Sequence, residues 1–242
     1  MADWNRIDTV LLDMDGVLLD LHFDDHFWET YLPERYAAIH GMEVAAAREL
    51  LLSWYAELEG TLDWYDVDYW SRKLGFEVAP MKVRHVHRIA THEGTVPFLN
   101  ALAAAGKRRL LVTNCHPKPT RLKLAATGIA RQLDGIVSAF DLGLSKEDPA
   151  FWGKLRAHTH FDPARTLLIE DSARNLASAR RYGIAHLVFL RHPNTKRPER
   201  PPAGFPSFKD LAAFLAADPP SQSPCSGTVC ECDGSVPSAP PH

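Results

Sequence analysis

A short apolar run, Ile7-Asp8-Thr9-Val10-Leu11-Leu12, leads directly into Asp13-Met14-Asp15-Gly16. An apolar segment of this length suits a strand buried on both faces, the habit of parallel sheets covered by helices. Open sheets of that kind collect ligands outside the carboxyl ends of their strands, so the two carboxylates stand where a ligand would be met. Gly16 frees the backbone to turn just past the strand. Asp15 therefore need not keep the two-residue strand period and can address a different atom from Asp13. A calcium loop of the EF-hand kind would continue with oxygen ligands to a closing Glu, whereas Val17-Leu18-Leu19 follows here.

Residues 24–92 carry helical periodicity and almost no strand signal. The spacing predicts helices over 25–40, kinked or restarted at Pro33, then over 43–59, 65–74 (closed by Gly75) and 80–92. From Glu93 onward strands and helices alternate, the pattern of right-handed parallel units. Strands are expected over 108–112, 136–138, 166–169 and 185–190, and helices over 117–127, 148–160, 172–182 and 208–216. Asp148 is expected to cap its helix, with Pro149 in the first turn. The expected fold class is α/β, a Rossmann-like parallel sheet with an inserted α-helical cap. Residues 1–21 and 93–217 would form the core and residues 22–92 the cap. Residues 218–242, crowded with Pro, Ser and Gly, read as a disordered tail. Its Cys225, Cys230 and Cys232, with His242, lack the spacing of a zinc ribbon or finger.

At 242 residues and 45% hydrophobic composition the chain can bury a substantial core. Its net charge of −3, with Lys and Arg interspersed among acids, argues against a surface for a nucleic-acid polymer. No signal peptide and no apolar run of membrane-spanning length is visible, so a soluble cytoplasmic protein with no membrane partner is expected.

Chemically distinctive residues recur at successive strand ends: Asp13 and Asp15, Thr113 and Asn114, Glu170 and Asp171, with Lys146 in a loop after the third strand. Each alone has an ordinary explanation, since Thr-Asn caps helices, Lys is usually solvated and Asp-Ser starts helices. Four such features in order on one sheet edge describe phosphoryl transfer, which needs an in-line nucleophile, cations on the phosphoryl oxygens and a proton for the departing alkoxide. Asp13 can attack phosphorus to form an aspartyl phosphate, while Asp15 protonates the leaving oxygen and then takes a proton from water. Magnesium, a hard cation that keeps several waters, would need only Asp13, the Asp15 backbone carbonyl and Asp171. Thr113 and Asn114 can bind phosphoryl oxygens, and Lys146 offsets the carboxylate charge and holds the anion. Among Trp54, Tyr55, Trp64, Tyr65, Tyr69 and Trp70, most are expected in the cap core, with one or two free to stack on a base. Arg84 and Arg88, four apart on one helix face, and His116 are further candidates for substrate contact, and Cys115 reads as a packed thiol.

The four motifs Asp13-Met14-Asp15-Gly16, Thr113-Asn114, Lys146 and Glu170-Asp171 resemble those of the haloacid dehalogenase-like superfamily. That resemblance implies a squiggle and flap after the first strand, a cap inserted there, and a phosphatase rather than a dehalogenase because Asp15 is a carboxylate. A narrower resemblance is to bacterial GMP/IMP nucleotidases. It rests on the stretch from Asp8 to Gly16 together with Leu19-Asp20-Leu21, Phe23-Asp24, Phe27-Trp28, Thr61-Leu62-Asp63-Trp64-Tyr65, Asp68-Tyr69-Trp70-Ser71 and Thr113-Asn114-Cys115-His116-Pro117. It implies a 5′-nucleotidase taking purine nucleoside monophosphates. Glu170 departs from the Asp common in relatives and would act behind the metal ligand Asp171. Sugar-phosphate phosphatase or β-phosphoglucomutase chemistry is the alternative on the same frame, and a non-catalytic nucleotide-binding module would not need Asp15.

Overall fold

A computed structural model describes residues 3–221, so the cysteines of the expected tail, and His242, lie outside the described residues. Six parallel strands form one sheet: β1 (Thr9–Leu12), β2 (Arg108–Thr113), β3 (Gly135–Ser138), β4 (Thr166–Glu170), β5 (His186–Leu190) and β6 (Ser207–Phe208). They lie in the order β3-β2-β1-β4-β5-β6. β1 lies between β2 and β4, with Leu12 beside Leu111 on one side and Ile169 on the other, so the three strands end within two residues of one another.

The sheet separates two cores by its two-residue period. Val10, Leu12, Leu111, Leu167 and Ile169 pack on one face with Phe98, Leu102 and Phe214. Leu11, Leu110, Val112 and Leu168 pack on the other with Phe151, Trp152 and Leu176. Both faces being covered explains why the strands read as nearly unbroken apolar runs.

Between β1 and β2 the chain is helical and builds a third core of its own around Phe27, Leu51, Tyr55, Trp70, Leu74 and Val78. Its first helix runs His22–His26, widens into a π-turn over Phe27–Tyr31 and continues as Leu32–His40. Pro33 has no N–H to give the carbonyl four residues back, and the wide turn, with Leu32 N–H bonding to the Phe27 carbonyl, absorbs the defect. The expected kink at Pro33 is thus realised as a π-turn one step earlier. The expected helix over 65–74 divides at Asp66, whose carboxylate caps Val67–Leu74. Asp148 bonds the Ala150 N–H at 2.7 Å in the turn before Phe151–Thr159, so the helix starts later than expected. The short helix Ala139–Leu142 and strand β6 were not legible in the periodicity.

The closing helix Leu211–Ala217 leads to Asp218, which is buried and accepts the Trp4 indole N–H at 3.1 Å through its carbonyl and 3.2 Å through its carboxylate. No helix among the described residues is long and apolar enough to cross a membrane.

Candidate active site

Asp13 follows β1 directly, and its backbone N–H still bonds to the Ile169 carbonyl of β4. One turn on, Gly16 adopts φ +88°, and a Cβ there would stand 2.7 Å from the Asp171 carboxylate. Only glycine permits both the left-handed turn and that approach. The glycine thus draws the end of β4 against the loop after β1, bringing the first and last motifs together.

Lys146 reaches the same point from the loop after β3. Its Nζ donates to Asp13 Oδ1 at 2.5 Å, to Glu170 Oε1 at 3.0 Å and to the Val112 carbonyl at 3.1 Å. The side chain is 1% exposed. Burial opposes its charge, but Asp13 and Glu170 outweigh that and hold its pKa above the ordinary lysine value. Asp13, Glu170 and Asp171 bring carboxylate oxygens within 4.8 Å of one another. Both Glu170 oxygens are already engaged, one by Lys146 and the buried Asn175 amide, the other by the Asp171 N–H at 3.2 Å. The oxygens left for a ligand belong to Asp13 and Asp171. Burial, and then Glu170, push Asp13 up to about 7. Burial, and then Asp13, push Asp171 likewise to about 7, although Arg200 donates to its carboxylate at 3.1 Å. Three carboxylates face two cations here, and the hard oxygens left on Asp13 and Asp171 fit magnesium.

Asp15 diverges from Asp13 as the sequence allowed. Both its oxygens accept from Lys123 Nζ at 2.7 Å. Lys123 also reaches Asp24 at 2.5 Å, and Asp24 accepts from Lys82 at 2.6 Å. Burial raises Asp15 to about 6, Lys123 opposing and Asp24 adding to the shift. A carboxyl poised there can both give and take a proton near neutrality.

Thr113 and Asn114 end β2 beside Asp13. Thr113 Oγ1 accepts the Cys115 N–H at 3.0 Å, leaving its hydroxyl hydrogen free to turn toward a ligand. Asn114 is committed at both ends: Oδ1 accepts from the Lys146 backbone at 2.9 Å and Nδ2 donates to Glu147 at 2.9 Å. It braces the Lys146 loop.

These groups line the floor of a cavity of about 900 Å³, whose opposite wall carries Trp28, Tyr55, Trp64, Tyr65 and Trp70 from the inserted helices. Of the aromatic candidates, Tyr55 and Trp70 are buried, and Trp64 and Tyr65 are half-buried. The expected helix over 80–92 ends at Arg84, and Arg88 lies in a separate 3-10 turn, Val86–Arg88, so the two arginines do not share a helix face. Both are exposed and off the cavity, whereas Lys82 of Val78–Arg84 lines it. His116 turns away: Nδ1 accepts the Lys118 N–H at 3.2 Å, so the neutral ring carries its hydrogen on Nε2, toward Asp66 at 3.6 Å and Asp68 at 3.8 Å. Those three side chains could group around a cation. The hydrogen on Nε2 points to a polar contact of the neutral ring with those carboxylates, between the core and the inserted helices, instead. Burial pushes the Cys115 thiol up to about 12, which makes it inert.

Sequence reasoning missed Lys123, Lys82, Arg200 and Glu147. Lys123 and Lys82 left a signal, each on the apolar stripe of its helix: Lys123 next to Leu124 and four residues from Pro119, Lys82 four residues from Val78. Arg200 lies in the aperiodic loop between β5 and β6 and left none.

With this fold and site in place, the chain belongs to the haloacid dehalogenase-like hydrolases, whose family profile matches residues 7–183. It is 39% identical over 212 residues to the GMP/IMP nucleotidase YrfG of Escherichia coli (strain K12), spanning 88% of this chain and 96% of that protein. Phosphoglycolate phosphatase of Rhodospirillum rubrum matches at 27% identity over 125 residues, 52% of each chain. Among solved structures, a HAD phosphatase from Thermococcus onnurineus superposes with a TM-score of 0.72 at 21% identity, covering 87% of this chain and 97% of that one. The L-2-haloacid dehalogenase from Xanthobacter autotrophicus superposes at 0.59 with 16% identity, covering 88% and 99%. Likeness at these identities speaks of fold alone, and dehalogenase and phosphatase share it.

Proposed function

We propose that this protein is a magnesium-dependent phosphomonoesterase that works through an aspartyl phosphate, and that its substrates are GMP and IMP. The observation that carries the reading is the divergence of Asp13 and Asp15: the first faces Lys146 beside Asp171, the second is held on Lys123 with a pKa of about 6. A nucleophile and a separate proton donor stand two residues apart, as attack on a phosphate ester requires.

In this scheme an Asp13 carboxylate oxygen attacks phosphorus, the bond from phosphorus to the ribose 5′ oxygen breaks, and Asp15 delivers its proton to that oxygen. Asp15 then takes a proton from water. That water oxygen attacks phosphorus, and inorganic phosphate and the Asp13 carboxylate are released. Lys146 favours the ionised form of Asp13 and binds phosphoryl oxygens with the Thr113 hydroxyl. Asp13, Asp171 and the Asp15 carbonyl would hold magnesium, which neutralises phosphoryl charge and holds Asp13 in its ionised form.

Two observations support the purine assignment. The relative that spans nearly the whole chain is a GMP/IMP nucleotidase. The cavity far exceeds a phosphate, and Asp25 and Glu29, each with one carboxylate oxygen held by Arg197, line it beside Trp28. A 6-oxopurine carries an N1–H donor that AMP lacks, so acceptors on that wall favour GMP and IMP.

Phosphate release from nucleoside monophosphates and sugar phosphates with magnesium tests the reading. GMP and IMP should give higher kcat/KM than AMP, CMP, UMP and simple sugar phosphates, and chelation should stop turnover. Equal or better turnover of pyrimidine nucleotides or sugar phosphates would reject the purine assignment and leave the phosphatase mechanism standing. Full activity after exhaustive chelation would contradict the metal.

A further inference from the structure

One side chain from the inserted helices connects to the nucleophile through four consecutive hydrogen bonds. Tyr65, on the short helix Leu62–Tyr65, donates its hydroxyl to Glu147 Oε1 at 2.7 Å. The other Glu147 oxygen accepts from Asn114 at 2.9 Å. Asn114 Oδ1 in turn accepts the Lys146 backbone N–H at 2.9 Å, and Lys146 Nζ lies 2.5 Å from Asp13. A second bond pins the same loop, from the Ser145 hydroxyl to the Gly60 carbonyl at 2.9 Å. Tyr65, Asn114, Lys146 and Asp13 all face the cavity.

Glu147 is the pivot because its two oxygens serve two separate bodies, one donor from the inserted helices and one from the sheet edge. The site beside it already carries Asp13, Glu170 and Asp171, so a third-party carboxylate stays only where donors hold it. Without the Tyr65 hydroxyl, Glu147 keeps only the Asn114 amide as a donor, and the carboxylate that holds Asn114 against the Lys146 backbone is no longer fixed in place. Burial, and then Glu147, hold the Tyr65 phenol well above its ordinary pKa, so it remains a donor at working pH.

Resting on the phosphatase reading above, we propose that Tyr65 and Glu147 are a positioning pair that ties the seating of the inserted helices to assembly of the phosphate pocket. The pocket is complete only when Tyr65 has docked on Glu147. The helices then act on phosphate binding itself, independent of what the rest of the substrate is.

Tyr65→Phe removes one oxygen, and Glu147→Gln leaves a single acceptor for two donors. With saturating magnesium, each should lower kcat/KM for GMP and for p-nitrophenyl phosphate alike by about tenfold, the value of one charge-assisted hydrogen bond. Inhibition by inorganic phosphate should weaken by the same factor, and the double variant should match either single one, because both break the same link. Melting temperature is recorded for each variant, and Tyr65→Phe alone decides the matter if Glu147→Gln fails to fold. A Tyr65→Phe enzyme with kcat/KM and phosphate inhibition within about twofold of wild type overturns the proposal, as do multiplicative losses in the double variant. A loss for GMP with none for the aryl phosphate also overturns it, since that pattern marks a base contact. A wild-type protein that neither hydrolyses phosphate esters nor is protected by inorganic phosphate sinks the phosphatase reading, and the pair's role with it.

Discussion

Two buried ion clusters lie side by side in this protein, and they are built to opposite ends. At the sheet edge, Asp13, Glu170 and Asp171 face only Lys146 and Arg200, and Asp13 and Asp171 are pushed to about 7. A step away, Lys82, Asp24, Lys123 and Asp15 alternate in sign. Burial would raise Asp24, but Lys123 and Lys82 outweigh it and hold that carboxyl below its usual range, while Asp15 and Asp24 hold Lys123 well above its own. Phe27 adds its ring face 4.6 Å from the Lys82 ammonium. The second cluster is closed on itself and joins the core to the inserted helices. The first lacks cationic charge, which is the condition of a site that receives a cation. Asp15 sits at the shared boundary, and burial lifts it to about 6, with Lys123 opposing and Asp24 and Asp13 adding to the rise.

Removing the proposed nucleophile breaks the contrast most severely. Asp13→Asn should lower turnover by at least about ten-thousand-fold and abolish covalent phosphate capture, with the fold intact. Near-normal turnover by a non-deamidated preparation would move the nucleophile elsewhere. Asp15→Asn comes next, with a loss of roughly a hundred- to ten-thousand-fold on nucleotides. The loss should shrink for an aryl phosphate, whose leaving oxygen needs little protonation, and an equal loss on both substrates would remove Asp15 as the acid.

The closed cluster is tested by stability. Lys123→Met leaves Asp15 and Asp24 without their shared cation and should cost about 3–5 kcal/mol in denaturant unfolding. Magnesium should not restore it, because the missing charge belongs to the second cluster. Full recovery by magnesium would mean that the two clusters are one.

Proton binding sharpens the other side. Asp13 and Asp171 stand at about 7 in the folded protein against an ordinary 3.8. Between those values the folded state binds more protons than the unfolded chain, so stability falls as pH rises through that window. Metal-free protein should therefore melt higher near pH 5.5 than near pH 7.5, by roughly 5–15 °C if both carboxyls titrate there, and magnesium should erase the difference. A flat profile would mean that the acidic site is already compensated. The smallest effect lies far from both clusters. Truncation after Ser221 should leave melting unchanged, whereas truncation after Ala217 removes the Asp218 partner of Trp4 and should lower it by roughly 2–4 °C.

The sheet was legible because parallel strands buried on both faces leave continuous apolar runs, and Val10-Leu11-Leu12, Leu110-Leu111-Val112 and Leu167-Leu168-Ile169 are such runs. The residues at their ends were legible only together, because each polar pair alone has an ordinary explanation and four in order on one sheet edge do not. Lys146 was within reach as a chemical requirement. Its partners were not, since nothing local distinguishes Glu147 from any loop carboxylate until Tyr65 arrives from 82 positions away.

Order along the chain therefore settled the fold class, the strand ends and the kind of chemistry, because each is a local pattern of polarity and period. Contact between distant segments settled the rest. Whether Lys123 was a solvated charge or the clamp on Asp15, and whether Asn114 would face phosphate or brace Lys146, depended on which elements packed together. A side chain's charge state and partners are properties of its surroundings, and those surroundings exist only once β1, the helix Pro117–Thr127 and the inserted helices have closed on one another.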